Sequence, residues 1–112
     1  MNVVHVVLYI FNTMKKKDKL SLNKKKAEIN KIRKKIDNID LKILKQLQLR
    51  RKEVLKIVKF KNKKEIVDKK RIKEIINNLT KKGNKLKIET FIIKKIWMVM
   101  IGSFIKLEKN KI

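Results

Sequence analysis

Four of the chain's 34 basic residues are arginines, and three of these, Arg33, Arg50 and Arg71, sit with Lys61 at spacings suited to gripping a small dianion. A guanidinium is a planar fork that meets a carboxylate through two parallel hydrogen bonds, whereas an ammonium is a mobile point charge. In a lysine-rich chain, an arginine marks a place where the fork is wanted. On an ideal helix the 11 steps from Arg50 to Lys61 leave the two about 20° apart in azimuth and about 16 Å apart along the axis. Both would lean over Val54, Ile57 and Val58 and close on an anion with a carboxylate at each end. Arg33, 17 residues before Arg50, falls about 100° round and about 25 Å away, so it is expected to serve a second site, in a partner chain.

Other chemistries are poorly served. The chain has no cysteine and one histidine, His5, so disulfides, thiolate metal sites and a His-based triad or metal centre are not expected, and no cofactor is implied. A reducing cytoplasm is the expected location. The formal charge of +24 would suit nucleic acid or an anionic membrane. The lysines are scattered among Ile and Asn, however, with runs of three only at Lys15 to Lys17 and Lys24 to Lys26. Neither a specific nucleic acid nor a membrane is therefore expected as partner. A small basic helical protein binding nucleic acid by counterion release is the alternative from another class.

The elements that must position these groups read as helices. There is no proline and there are only two glycines in 112 residues, which leaves little to interrupt them. The expected class is all-α: one long helix and two shorter ones. Residues 3 to 11 form an apolar stretch too short to span a bilayer. Residues 1 to 13 are read as an appendage or the product of a mis-set start, with His5 an ordinary side chain within it. Residues 1 to 22 are taken as an extension outside the core, and 23 to 112 as the domain. From about 23 to 60, Ile29, Ile32, Ile36, Ile39, Ile43, Leu47, Val54, Ile57 and Val58 recur mostly at steps of three and four, the signature of an amphipathic helix. Such a helix would be about 57 Å long, more than one small globule covers, so an intertwined homodimer is expected.

A loop is expected from 61 to 67, then a helix capped by Asp68, striped by Ile72, Ile75, Ile76 and Leu79, and stopped by Gly83. The last helix should run from 89 or 90 to 109, with Ile92, Ile93, Ile96, Val99, Met100, Phe104 and Leu107 inside. Trp97 is read as core.

The run Ile32-Arg33-Lys34-Lys35-Ile36-Asp37-Asn38-Ile39-Asp40, then Leu44, Leu47, Arg50-Arg51, Val58, Lys61 and Ile66-Val67-Asp68-Lys69-Lys70-Arg71, resembles the all-helical chorismate mutase family. The tail from Ile96 to Glu108 is similar to that family's last helix. The resemblance covers residues 29 to 109. It implies an isomerase that converts chorismate to prephenate in aromatic amino-acid biosynthesis, a rearrangement that breaks a carbon–oxygen bond while forming a carbon–carbon bond and needs neither nucleophile nor metal. By that resemblance Arg50 holds one carboxylate and Arg33 of the partner subunit the other. Lys61 contacts a carboxylate and the ether oxygen, while Asp68 and Arg71 frame the pocket. Glu108 faces the ether oxygen and donates to it only when protonated, so activity is expected to favour acid pH. Two positions depart from the family. Ile72 stands where a Glu commonly binds the substrate hydroxyl, and Phe104 where many members have Ser. The related isochorismate pyruvate-lyases also lack that Glu, which makes their activity an alternative, as is a catalytically dead relative of the mutase fold.

Overall fold

The computed structural model describes residues 2–112, apart from the side chains of Lys17 and Leu20. Met1, the start questioned above, lies outside the described residues. Three α-helices follow one another: α1 (Val3–Val58), α2 (Lys69–Lys85) and α3 (Thr90–Lys111), with a single 3-10 turn, Lys63–Glu65, between the first two. No strand occurs among the described residues. The all-α expectation of one long and two shorter helices holds. The first helix begins some 20 residues earlier than periodicity suggested, because nothing between Val3 and Asn23 breaks a helix and the valine-rich stretch simply continues it.

The chain divides into two compact units, Met1–Lys45 and Gln46–Ile112. Among its described residues, the first is the α1 helix alone. Its stripe of Ile29, Ile32, Ile36, Ile39 and Ile43 is exposed along its whole length. The second unit contains the end of α1, α2 and α3, and its buried apolar side chains are Ile66, Ile93 and Ile101. The α2 stripe of Ile72, Ile75, Ile76 and Leu79 is half-buried as the pattern predicted, and so is Trp97. On α3 the expected inward face holds in part, with Ile93 buried and Met100, Phe104 and Leu107 half-buried. Ile92, Ile96 and Val99 are exposed, while Ile101 is buried and Ile105 half-buried. Towards its C-terminal end the face turned inward is Ile101, Phe104, Ile105 and Glu108, spaced i, i+3, i+4 and i+7, a single helical stripe.

The connection after α1 is short and well capped. The helix ends at Val58, and the Phe60 and Lys61 N–H groups donate to the carbonyls of Ile57 (2.9 Å) and Val58 (3.3 Å), so Lys61 lies past the helix rather than on it. Asn62 then caps the 3-10 turn, its side chain accepting from the Lys64 N–H at 3.0 Å. Asp68 is the N-cap of α2 as expected, its Oδ1 accepting from the Arg71 N–H at 3.0 Å.

Gly83 does not stop α2. It lies inside the helix, which runs on to Lys85, and the chain turns where Lys87 adopts the left-handed conformation at φ 61°. Gly83 is buried because α3 crosses there. A Cβ at this position would run into Ile93 Cδ1 and lie 3.0 Å from Ile93 Cγ1. The glycine therefore sets how closely the two helices approach. Overpacking costs about 1–3 kcal/mol, against a gain of about 1 kcal/mol in helix propensity, so Gly83→Ala should lower stability by up to about 2 kcal/mol. Lys87→Gly should raise it by removing a left-handed lysine. Denaturant unfolding of the two variants checks both signs. A gain in stability from Gly83→Ala would mean that Ile93 moves aside and that position 83 does not set the approach of α3.

Candidate functional site

One cavity of about 260 Å³ lies in the second unit, between the end of α1, the turn after it, α2 and α3. Each element contributes at helical spacing. The end of α1 supplies Arg50, Glu53, Val54 and Ile57 at i, i+3, i+4 and i+7. The turn supplies Lys61 and Ile66, α2 with its cap supplies Asp68, Arg71, Ile72 and Ile75, and α3 supplies Ile101, Phe104, Ile105 and Glu108. Its volume falls just below the usual range for ligand pockets, about 300 Å³ upward, and suits a compact metabolite.

Seven of the eight residues singled out by sequence line this one cavity: Arg50, Lys61, Asp68, Arg71, Ile72, Phe104 and Glu108. Arg33 is not among the lining residues. It belongs to the first unit, where it is exposed. Glu53 was missed, although it stands one turn from Arg50 on the same helix and could have been found from that spacing alone. Ile101 and Ile105 were missed because they were not placed on the stripe that ends at Glu108.

Arg50 is the most constrained group. Its guanidinium lies over the Phe104 ring, 4.4 Å from the centroid, a cation–π contact that fixes the plane of the fork. Its Nη1 is buried without a hydrogen-bond partner. Burial pushes the guanidinium below its ordinary pKa; Glu108 opposes that shift and Arg71 adds to it. An arginine stays protonated in any case, so the site holds a half-buried cation with an unanswered donor, costly unless an anion meets it.

Across the cavity, Lys61 Nζ donates to Glu108 Oε1 at 3.3 Å. The Glu108 side chain is only 7% exposed and that of Lys61 26%. α3 thus carries Glu108 into the cavity. Asp68 spends one carboxylate oxygen on capping α2, and Arg71 makes only a loose, exposed ion pair with Glu74 at 3.9 Å. The lining carries three cations, Arg50, Lys61 and Arg71, and three carboxylates, Glu53, Asp68 and Glu108. A dianion entering this pocket needs cationic help from elsewhere, or a proton on one carboxylate.

Among the described residues no group of three His, Asp or Glu side chains could hold a metal ion, and no helix is long and apolar enough to cross a membrane. The profile of the family described as chorismate mutase type II matches residues 32–109. No curated protein and no solved structure matches the chain.

Proposed function

The chain belongs to the chorismate mutase type II family, and from that premise we propose that it isomerises chorismate to prephenate in the cavity of its second unit, as a cytoplasmic enzyme. The observation that carries this reading is the half-buried Arg50 fork with an unpaired Nη1 beside the Lys61–Glu108 pair. A flexible diacid must be held in a compact conformer, and negative charge grows on its ether oxygen as the carbon–oxygen bond breaks. Arg50 holds one carboxylate in a fork aligned by Phe104. Lys61 supplies positive charge at the ether oxygen, Arg71 closes the rim, and Asp68 fixes the start of α2 so that Arg71 and Ile72 face the ligand.

The second carboxylate is met by Arg33 of the partner subunit in an intertwined homodimer. Two features support this. The lining is balanced in charge and so short of cations for a dianion. The isoleucine stripe of the first unit, exposed in a single chain, is of the kind that two long helices bury against each other.

Glu108, held against Lys61, faces the ether oxygen in this reading. As a carboxylate it repels the charge that develops on the ether oxygen, and as a carboxylic acid it donates a hydrogen bond to it. Glu108→Gln, a permanent donor of similar shape that carries no negative charge, should therefore keep or raise activity at neutral pH. Loss of chorismate absorbance, followed from acid to mildly alkaline pH for both proteins, tests the function and this role together. No turnover at any pH would reject the mutase reading. A tenfold or greater loss of activity in Glu108→Gln would reject the role of Glu108 alone.

Ile72 favours one alternative. An apolar side chain lines the cavity where the family commonly places a Glu for the substrate hydroxyl, a loss shared with the isochorismate pyruvate-lyases. Pyruvate release from isochorismate, faster than turnover of chorismate, would assign the chain to that activity.

A further inference from the structure

We propose that the N-terminal end of α1 docks the protein on an anionic lipid surface, with Val3 to Phe11 entering the outer apolar layer and the lysines after it lying among the headgroups. The family match begins at residue 32, so the preceding part of the helix is not accounted for by the mutase reading. Val3, Val4, Val6, Val7, Leu8, Tyr9, Ile10 and Phe11 are all exposed. At about 100° per residue they face every direction around the axis, with His5 the one polar side chain among them. A helix apolar all round calls for an apolar surround, which one neighbouring helix cannot supply.

Dimensions and local hydrogen bonding fit a lipid surface. Nine residues span about 14 Å, roughly half the 30 Å hydrocarbon core, so the tip enters one leaflet without crossing. Backbone groups that enter lipid must be satisfied internally. At the tip, Asn2 Oδ1 accepts the Val4 N–H and the Asn2 carbonyl accepts the Val6 N–H, both at 3.2 Å. At the other end the Thr13 hydroxyl donates to the Tyr9 carbonyl at 2.8 Å. Tyr9 and Phe11 stand near the polar boundary, where aromatic side chains favour the interface. Lys15 Nζ folds over the Phe11 ring, 4.7 Å from its centroid.

Charge chooses between lipid and a second copy. Residues 12 to 26 carry seven lysines and one acid, Asp18, so seven minus one gives a net +6 just behind the apolar tip. Two such tips laid side by side bring like charges together. An anionic surface attracts the same collar, each lysine near it adding roughly fivefold to binding.

Sedimentation of the full chain with vesicles of phosphatidylcholine, or of phosphatidylcholine with phosphatidylglycerol, tests the proposal at 0.1 and 0.5 M salt. The anionic vesicles should bind at least tenfold better at the lower salt, and part of that binding should survive at the higher. The combined variant Val7→Ser, Leu8→Ser and Phe11→Ser should lose at least tenfold at both salts, with helix content by circular dichroism as the control. Lys15→Gln with Lys16→Gln and Lys19→Gln should weaken the preference for anionic lipid. In a second measurement, Phe11→Trp in a Trp97→Phe background should show a blue-shifted emission on anionic vesicles. Equal vesicle binding by the serine variant would mean only general adhesion of a +24 chain, and would overturn the proposal. So would an unshifted emission, or a serine variant that changes particle mass in solution while the parent fails to bind vesicles, since the tip would then be covered by a second copy.

Discussion

Arg50→Ala should lower kcat/KM for chorismate by about a thousandfold or more, the largest loss expected of any single side chain in the cavity. Removing one preorganised donor from a site that stabilises developing charge typically costs about 10²–10³ in rate. Arg50 also orients the substrate, so its loss costs positioning as well. Arg50→Lys should recover little of this. An ammonium keeps the charge but not the fork, and it loses the flat contact with Phe104 that aligns the guanidinium. Steady-state kinetics on the three proteins checks the result. Alanine activity within tenfold of the parent would place the carboxylate elsewhere, and equal activity of the lysine variant would show that charge alone suffices.

Arg33→Ala should cost about a hundredfold or more, and it allows a sharper test than the loss itself. If each site combines Arg50 of one copy with Arg33 of the other, then refolding Arg33→Ala together with Arg50→Ala rebuilds one intact site in every mixed dimer. Random pairing makes half the dimers mixed, and half their sites are intact, so about one quarter of the parent activity should return from two nearly inactive proteins. No recovery, with mixed dimers demonstrated by mass, would show that the two arginines do not share a site. Full activity of Arg33→Ala on its own would remove Arg33 from the chemistry altogether.

How much of this was legible beforehand differs residue by residue. The helical class followed from the lack of breakers, and the cap at Asp68 from its place before an apolar stripe. Both are local signals, carried by neighbouring residues. Gly83 was misread because a glycine that ends a helix and a glycine that admits another helix look alike in one dimension. Only Ile93, ten residues on and across the turn, distinguishes them. Lys61 was placed on an ideal helix with Arg50, yet the helix ends at Val58 with no glycine or proline to announce it. The expected pairing in one cavity survived because the turn carries Lys61 towards Glu108. Glu53 was legible from its place one helical turn after Arg50 on the same face.

With buried apolar side chains confined to Ile66, Ile93 and Ile101 in the second unit, and none among those described in the first, the chain has little interior of its own. In the proposed homodimer, cohesion would be borrowed across the boundary that covers the isoleucine stripe, which would couple folding to association. Diluting such a dimer would not simply part finished subunits. It would melt them, and the melting temperature would climb with the logarithm of concentration.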